Sequence, residues 1–436
     1  MSLLDRYRED SDFAADGNFT IDREKARLKL SRYQLARLED FALLVVQALV
    51  AAQATSISIG IDKRAGRQGP EIQIRGEDVK LDSKRLDKLH EEIFSANRAS
   101  EPYRLLAIAC NAVEPFCQSV PRIVPEQTSV LFTLTLKHPL PKLEKAMKSR
   151  VRFCPCQVTL NGVALPQTAP DSLPLRPLKF PESYVKLVRF GVEIESKRFQ
   201  STPAYSTVLS HPDFVLDASC SHVVEDELYF ECLARSQAEA EPRLVELAAD
   251  QPDHETLQII FYWLPRIARS KNFYELARLP LFPRADSTEF SNLLSMHPWS
   301  KEHGSLAYSK TPVEVDIGRP VVLITSAEME ECLTHLFAPY GGLQDAAPLV
   351  ARKIQALQRQ QEWEKKARPT QLPPGNYLSQ KQISGPGWQA EVGFQGAPGG
   401  PRVVDILYQN KLLCSETLPS HLPPGSQAVL NLDRAT

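Results

Sequence analysis

At 436 residues the chain is longer than one ordinary domain and predicts roughly two to four cores. Hydrophobic residues at 43% and charged residues at 24% match globular averages and argue against disorder, while a net charge of -2 supplies no global field to attract nucleic acid or an anionic membrane. The opening "MSLLDRYRED" lacks the basic flank and apolar core of a secretory signal, and no run reaches the roughly 20 apolar residues of a bilayer span. A cytoplasmic protein with no membrane partner is expected, its 8 cysteines free thiols.

In chain order, "TIDREKARLKLSRYQLARLEDFALLVVQALVAAQ" is rich in helix formers without Gly or Pro and predicts two helices broken near Ala36 to Asp40. "TSISIGID" and "EIQIRGED" alternate at period two, as strands do, around the polar loop "KRAGRQGP". Helical character resumes from Ser83 to about Ala96 and from Tyr103 to Phe116, and "TSVLFTLTLKH" predicts a strand. A last pair of strands is expected to flank Cys154, with "TLNG" as a turn. On such a strand the Cys-Pro-Cys of "FCPCQVTL" would point both thiols the same way, and with no second ligand pair they read as buried structural thiols.

The prolines of "PQTAPDSLPLRPLKFP" mark the end of a first domain over 1–165. A second, over 182–285, opens with the strand-like "SYVKLVRFGVEIES" and "YSTVLS", passes through "DFVLDASCSHVVEDELYFECLA" and closes with the helix "HETLQIIFYWL". A third, over 286–368, carries "GSLAYSK" and then "PVVLITSAEMEECLTHLF", a buried strand running into an amphipathic helix, which is the pattern of an α/β unit. Its trailing polar helix repeats Leu349, Ile354, Leu357 and Trp363, enough for one buried stripe against its own domain or a partner. The remainder, 374–436, turns to Gly, Pro and short strands such as "VVDILYQ", and ends with a strand, as expected of a small terminal unit or of a chain cut from a longer parent.

Three further groups of residues invite chemistry. His222 lies near Cys220 and Asp226, but the segment reads more simply as a helix start capped by Ser219 or Ser221 with acids in its first turn. His297 and His303 in "HPWSKEHG" sit in an expected Pro/Gly loop without a third ligand. "PKLEKAMKSRVRF" is the densest basic stretch, with Lys142, Lys145, Lys148, Arg150 and Arg152; lacking aromatic interleaving, it reads as a solvated helix face.

The helix-to-strand run "FALLVVQALVAAQATSISIGID" and its partner "EIQIRGEDVKL" resemble the ATP-binding unit of the GHKL superfamily, which includes HtpG-type heat-shock chaperones, MutL, gyrase and histidine kinases. There a helix ends in an Ala-Thr turn and feeds a strand, and the next strand ends in an Asp-x-Gly that meets adenine. "SYVKLVRFGVEIES" with "HPDFVLDASCSHVVEDEL", followed by "SLAYSK" and "VVLITSAEMEECLTHLF", is similar to the middle segment of HtpG-type chaperones. The resemblance spans about Phe19 to Phe337. It implies an α/β fold of α+β sandwich type: a Bergerat-like N-terminal domain, a middle domain with ribosomal-S5-like and α/β parts, and a small β-rich C-terminal segment. The region past Pro369 does not resemble the family's dimerising end, which argues against constitutive dimerisation and leaves the oligomeric state open.

A GHKL ATPase needs a carboxylate to orient the attacking water, an amide oxygen one helical turn later for Mg²⁺, and a Gly-rich lid over the phosphates. By the resemblance, the Glu and Asn positions match Leu44 and Ala48, with Gln47 beside them; the adenine-reading Asp falls at about Gly76, with Glu77 and Asp78 just beyond; and the Arg that reaches the γ-phosphate matches Cys220. Leu44, Ala48 and Cys220 lack the required groups. No glycine occurs between Gly76 and Gly162, so the lid counterpart "FSANRASEPYRLLAIACNAVEPF" reads as packed helix. The expectation is an HtpG-like pseudo-ATPase with no catalytic residue, no metal and no ATP cofactor, acting as a non-catalytic scaffold or interaction module for a protein partner or client. The alternatives are an ATP-dependent chaperone with a divergent pocket and a nucleic-acid-associated factor.

Overall fold

The computed structural model describes Lys25 and residues 35–63, 69–94, 98–366, 368–396 and 398–433; the first of the two expected N-terminal helices lies largely outside the described residues. The architecture is mixed α/β with several sheets. Contacts divide the chain into two compact units, one ending at Leu276 and the other beginning at Ala277. Among the described residues no helix is long and apolar enough to cross a membrane.

In the first unit, α1 (Asp40–Ala51) is buried at every residue from Asp40 to Leu49. A helix this apolar on all sides must be covered on all sides. One side lies on a six-stranded sheet and another against α3 (Glu101–Val113), which follows the short α2 (Ser83–Asp87). The sheet runs β3-β4-β2-β1-β5-β6, from β3 (Arg122–Pro125), β4 (Val130–Thr135), β2 (Glu71–Glu77), β1 (Ser56–Asp62), β5 (Gln157–Leu160) and β6 (Val163–Ala164). All neighbours are antiparallel except β1 and β5. The period-two pattern read from "TSISIGID" and "EIQIRGED" puts Ile123, Phe132, Ile74, Ile59 and Leu160 in one cross-strand row, and the ring of Phe41 packs 6.2 Å from that of Phe132. α1 ends with Gln53 at φ 65, the N–H of Ala54 donating to Leu49 O and that of Gln53 to Val50 O, so its last carbonyls are satisfied without a glycine.

Between β4 and β5 the chain forms α4 (Leu143–Arg150). Cys154 follows in a turn, its N–H donating to Val151 O, and the last pair of strands lies wholly after it rather than flanking it. The Cys-Pro-Cys therefore does not ride on a strand: the close of α4 and Pro155 hold it in turns, and "TLNG" makes the β5–β6 hairpin as expected.

The second sheet of this unit has the order β7-β10-β8-β9, from β7 (Arg176–Pro177), β10 (Tyr205–Ser210), β8 (Glu182–Arg189) and β9 (Val192–Gln200). The single run "SYVKLVRFGVEIES" folds as two strands because Phe190 and Gly191 both take positive φ, a turn of type I′ geometry. Gly191 is required twice over, since a Cβ there would lie 2.4 Å from Cys154 Cα. Helix α5 (Glu227–Ala249) packs on β7 and β10 and is followed by α6 (His254–Trp263) and α7 (Lys271–Arg278). One hydrophobic core runs from α1 and the first sheet through Val185, Leu187, Val192 and Ile194 of the second to Ala240 of α5.

A half-buried arginine ties α1 to the second sheet. Arg150 at the end of α4 donates to the carbonyls of Glu193 and Ile194 in β9 and, at 2.7 Å, to Asp40 of α1. Burial pushes the Asp40 carboxyl above its ordinary value despite the Arg150 charge, and burial likewise pulls the Arg150 guanidinium down.

The second unit holds a short hairpin of β11 (Phe282–Pro283) and β12 (Phe290–Ser291), helix α8 (Leu293–His303), and a parallel sheet β14-β13-β15 from β14 (Val322–Leu323), β13 (Leu306–Ser309) and β15 (Leu343–Asp345). Helix α9 (Ala327–Phe337) is capped by Ser326, whose hydroxyl accepts from the Met329 N–H. The expected loop at "HPWSKEHG" is instead the end of α8. Asn292 caps that helix at Ser295 N–H and Gly304 closes it at φ 71, so the segment is helical in spite of Pro298. Helix α10 (Ala347–Lys365) has no buried residue: of its apolar stripe Leu349 and Trp363 are half-buried, and Ile354 and Leu357 are each 39% exposed. The chain ends in a five-stranded sheet, β16-β17-β20-β18-β19, from β16 (Ser379–Gly385), β17 (Trp388–Phe394), β20 (Ser426–Leu432), β18 (Val403–Tyr408) and β19 (Lys411–Thr417).

Removing one partner of the Asp40–Arg150 pair strands a buried charge. Arg150→Leu should lower the unfolding free energy at pH 7 by about 3–5 kcal/mol in urea titrations. Asp40 has a raised folded pKa, so its ionised form opposes folding above that pKa and the opposition fades as pH falls toward the usual carboxylate range. Asp40→Asn added to Arg150→Leu should therefore recover part of the loss at pH 7 and almost none at pH 3.

Candidate functional site

The positions that the sequence singled out fall into two groups. Leu44, Gln47 and Ala48 are 1%, 1% and 0% exposed, inside the core that α1 shares with Leu105, Leu106, Ala109 and Val113 of α3. Leu44 and Ala48 present only carbon to that interior. The amide oxygen of Gln47 is buried there without a hydrogen-bond partner among the described residues, a cost of about 1–3 kcal/mol that the surrounding apolar packing must offset.

Gly76 is buried in β2, paired with Ile57 and Val130, and a Cβ on it would meet Leu49 Cδ2 at 2.9 Å. A side chain there would require the ends of Leu49 and Val79 to shift. Glu77 follows at the strand end, and Asp78, exposed and at φ 54, accepts from Thr55 Oγ1 at 2.8 Å. Together with the Thr55 N–H donating to Glu77 O, this ties the Ala54-Thr55 turn to the end of β2. The Asp78 carboxylate thus serves a turn at the surface.

Cys220 is buried at φ 53 in the loop between β10 and α5. Burial raises its thiol to about 11, and the nearby Arg104 and Arg189 oppose that rise only in part. The loop is organised by Asp217, which accepts from the N–H groups of Ser221 and His222 and from the Ser219 hydroxyl. The Ser219 or Ser221 cap expected for α5 is not formed: Asp226 caps it, accepting from Tyr229 N–H. His222 pairs through Nδ1 with Glu195 at 2.8 Å, so Cys220, His222 and Asp226 each have a separate environment and make no triad.

Sequence reading missed the charged cluster beside Cys220. Glu101, at the first turn of α3, accepts from Arg104 Nε and Nη2, both at 2.9 Å, and from Arg189 Nη2 at 2.6 Å. Arg189, at the end of β8 and 6% exposed, also donates from Nε to Pro212 O, and its Nη1 is buried without a partner among the described residues. Burial by itself would raise the Glu101 carboxyl; the Arg104 hydrogen bond and the Arg189 and Arg104 charges outweigh it and hold the group below its ordinary value. Its local signs are an acid just before Pro102 at a helix start and Arg104 three residues on; its partner Arg189 is 88 positions away. A cavity of about 510 Å³ adjoins the cluster, lined by Ala51, Glu101, Arg189, Phe190 and Asp213 among others. Two carboxylates against one arginine make it a poor receptor for polyphosphate.

The basic stretch is divided. Lys142, Lys145 and Lys148 are exposed as expected of a solvated helix face, but Arg150 is turned inward to Asp40, and Glu144 pairs with Lys63. His297 stacks edge-on with Tyr340 at 4.4 Å, and among the described residues no group of three His, Cys, Asp or Glu side chains is placed to hold a metal ion. All eight cysteines are free. Neither a protein-family model nor a curated protein matches the chain.

Glu101→Gln should cost about 1.5–3 kcal/mol at pH 7, the range for hydrogen bonds to charged groups. Because the folded pKa of Glu101 is lowered, its contribution is complete above the ordinary glutamate value and is lost as pH falls through the folded value. The difference between variant and parent in urea unfolding should therefore shrink toward pH 3.

Proposed function

We propose that this chain is a non-catalytic protein-interaction or scaffold module on a degenerate GHKL, HtpG-like framework, working in the cytoplasm through a protein partner or client. The observation that carries this reading is the enclosure of Leu44, Gln47 and Ala48 within the core between α1 and α3. The element order over residues 40–77, a helix followed by two paired strands, supports the resemblance. So does the Ala54-Thr55 turn tied to Glu77 and Asp78.

Turnover of ATP is disfavoured on the same ground. A carboxylate to orient water and an amide oxygen to hold Mg²⁺ have no counterpart at Leu44 and Ala48, and the arginines nearest Cys220 are bound to Glu101. The ATP-dependent reading would require the core to open at α1. The nucleic-acid reading is weakened by the inward turn of Arg150 and the pairing of Arg152 with Glu193, which leave Lys142, Lys145 and Lys148 as its basic footprint.

Thermal unfolding with millimolar Mg²⁺-ATP tests the proposal. No stabilisation is expected; binding at about 100 times Kd would add about 2.7 kcal/mol, and a shift of that size would overturn it. Restoring the family's carboxylate should not restore a site. Leu44→Glu would bury an unpaired charge, and the expected outcome is a loss of several kcal/mol or failure to fold, with no gain in ATP hydrolysis.

A further inference from the structure

The C-terminal five-stranded sheet has two unlike faces. On one, Leu407 and Val429 are buried beneath Leu372, and Glu391 is 5% exposed with its carboxylate accepting from Leu372 N–H and Gln380 Nε2. The other face is apolar and remains half-open. Its central row, read across β16-β17-β20-β18-β19, is Ile383, Ala390, Leu430, Ile406 and Cys414, with the three middle residues half-buried and the outer two exposed. The neighbouring row is Lys381, Val392, Ala428, Val404 and Glu416. It carries a base at one edge, three apolar residues in the middle and an acid at the other edge, and both charged side chains are exposed.

We infer that this face is a dimerisation surface whose partner is the same face of a second copy of the chain, related by a two-fold axis parallel to the strands. Such an axis exchanges the two edges of the sheet while keeping each row at its own level. Row therefore stacks on row, Lys381 of each copy meets Glu416 of the other, and apolar centre covers apolar centre. Two twisted sheets stacked about 10 Å apart and inclined by about 30° leave these long side chains within reach of each other. Isologous pairing of this kind places the same patch on both partners, which is what one uncharged centre between opposite charges satisfies.

Area sets the strength. Five strands at about 4.8 Å and seven residues at about 3.3 Å make a face on the order of 500 Å² per copy, or about 1,000 Å² in all. That is the lower limit for a specific interface, so a reversible dimer with a Kd in the micromolar range is expected. The inference names a partner that the proposed scaffold role leaves open, and it does not depend on the state of the nucleotide-pocket positions: bound ATP would overturn that reading and leave this one standing.

Sedimentation velocity of the full chain, from on the order of 1 to 100 μM in about 0.1 M salt, tests it. The parent should pass from monomer to dimer across that range, and Ile406→Asp should raise Kd by at least roughly tenfold. Lys381→Glu and Glu416→Lys lie at exposed positions that fold regardless. Each alone should weaken the dimer by roughly three- to tenfold, and the two together should return it to within about twofold of the parent. A monomer at every concentration, a dimer indifferent to Ile406→Asp, or a double variant no better than the single ones would overturn the inference.

Discussion

The enclosure of α1 is the constraint on which the first unit depends. A helix with buried residues at every position from Asp40 to Leu49 has no face to give to solvent, so a sheet must form on one side of it and α3 on another. The same enclosure determines what Leu44 and Ala48 do. Both side chains pack into the core with the rest of the helix and present no oxygen to it. Gly76 follows from this too, because Leu49 lies where its side chain would be.

Charges in this unit are spent on internal fastening. Arg150 joins α4 to α1 and to two carbonyls of β9, and Arg189 joins β8 to the start of α3 through Glu101. Burial opposes ionisation at Asp40 and Arg150, so that pair adds less to stability than to geometry: its hydrogen bonds are met in only one arrangement of the two sheets. At Glu101 the balance is reversed, with two arginines outweighing burial. Arginines committed in this way are not free to follow the charge of a bound phosphate. Glu101 and Arg189, which line the cavity, already have protein partners.

In the second unit the same physics leaves a surface unfinished. The C-terminal sheet covers one face with the segment around Leu372 and leaves the other apolar and half-open, while α10 carries Ile354 and Leu357 into solvent. Apolar surface of this extent on a sheet is ordinarily buried by a partner.

Much of this organisation was legible locally. Alternation in "TSISIGID" and "EIQIRGED", the turn at "TLNG" and the strand-to-helix run around Ser326 depend on neighbours a few residues apart, and each stands where the sequence put it. The misreadings have physical causes of the same short range. Pro298 suggested a loop, but Asn292 and Gly304 outweighed it; Pro155 and the end of α4 kept Cys154 off a strand; and Asp226, rather than a nearby serine, reached the first free N–H groups of α5. What the sequence by itself determined is therefore the set of elements and the apolar character of α1, because periodicity and capping are properties of adjacent residues. Tertiary structure alone decided which charges meet, 88 and 110 positions apart, and that Lys381 and Glu416 close the two ends of one row, because both depend on strand order and register, which no local pattern contains.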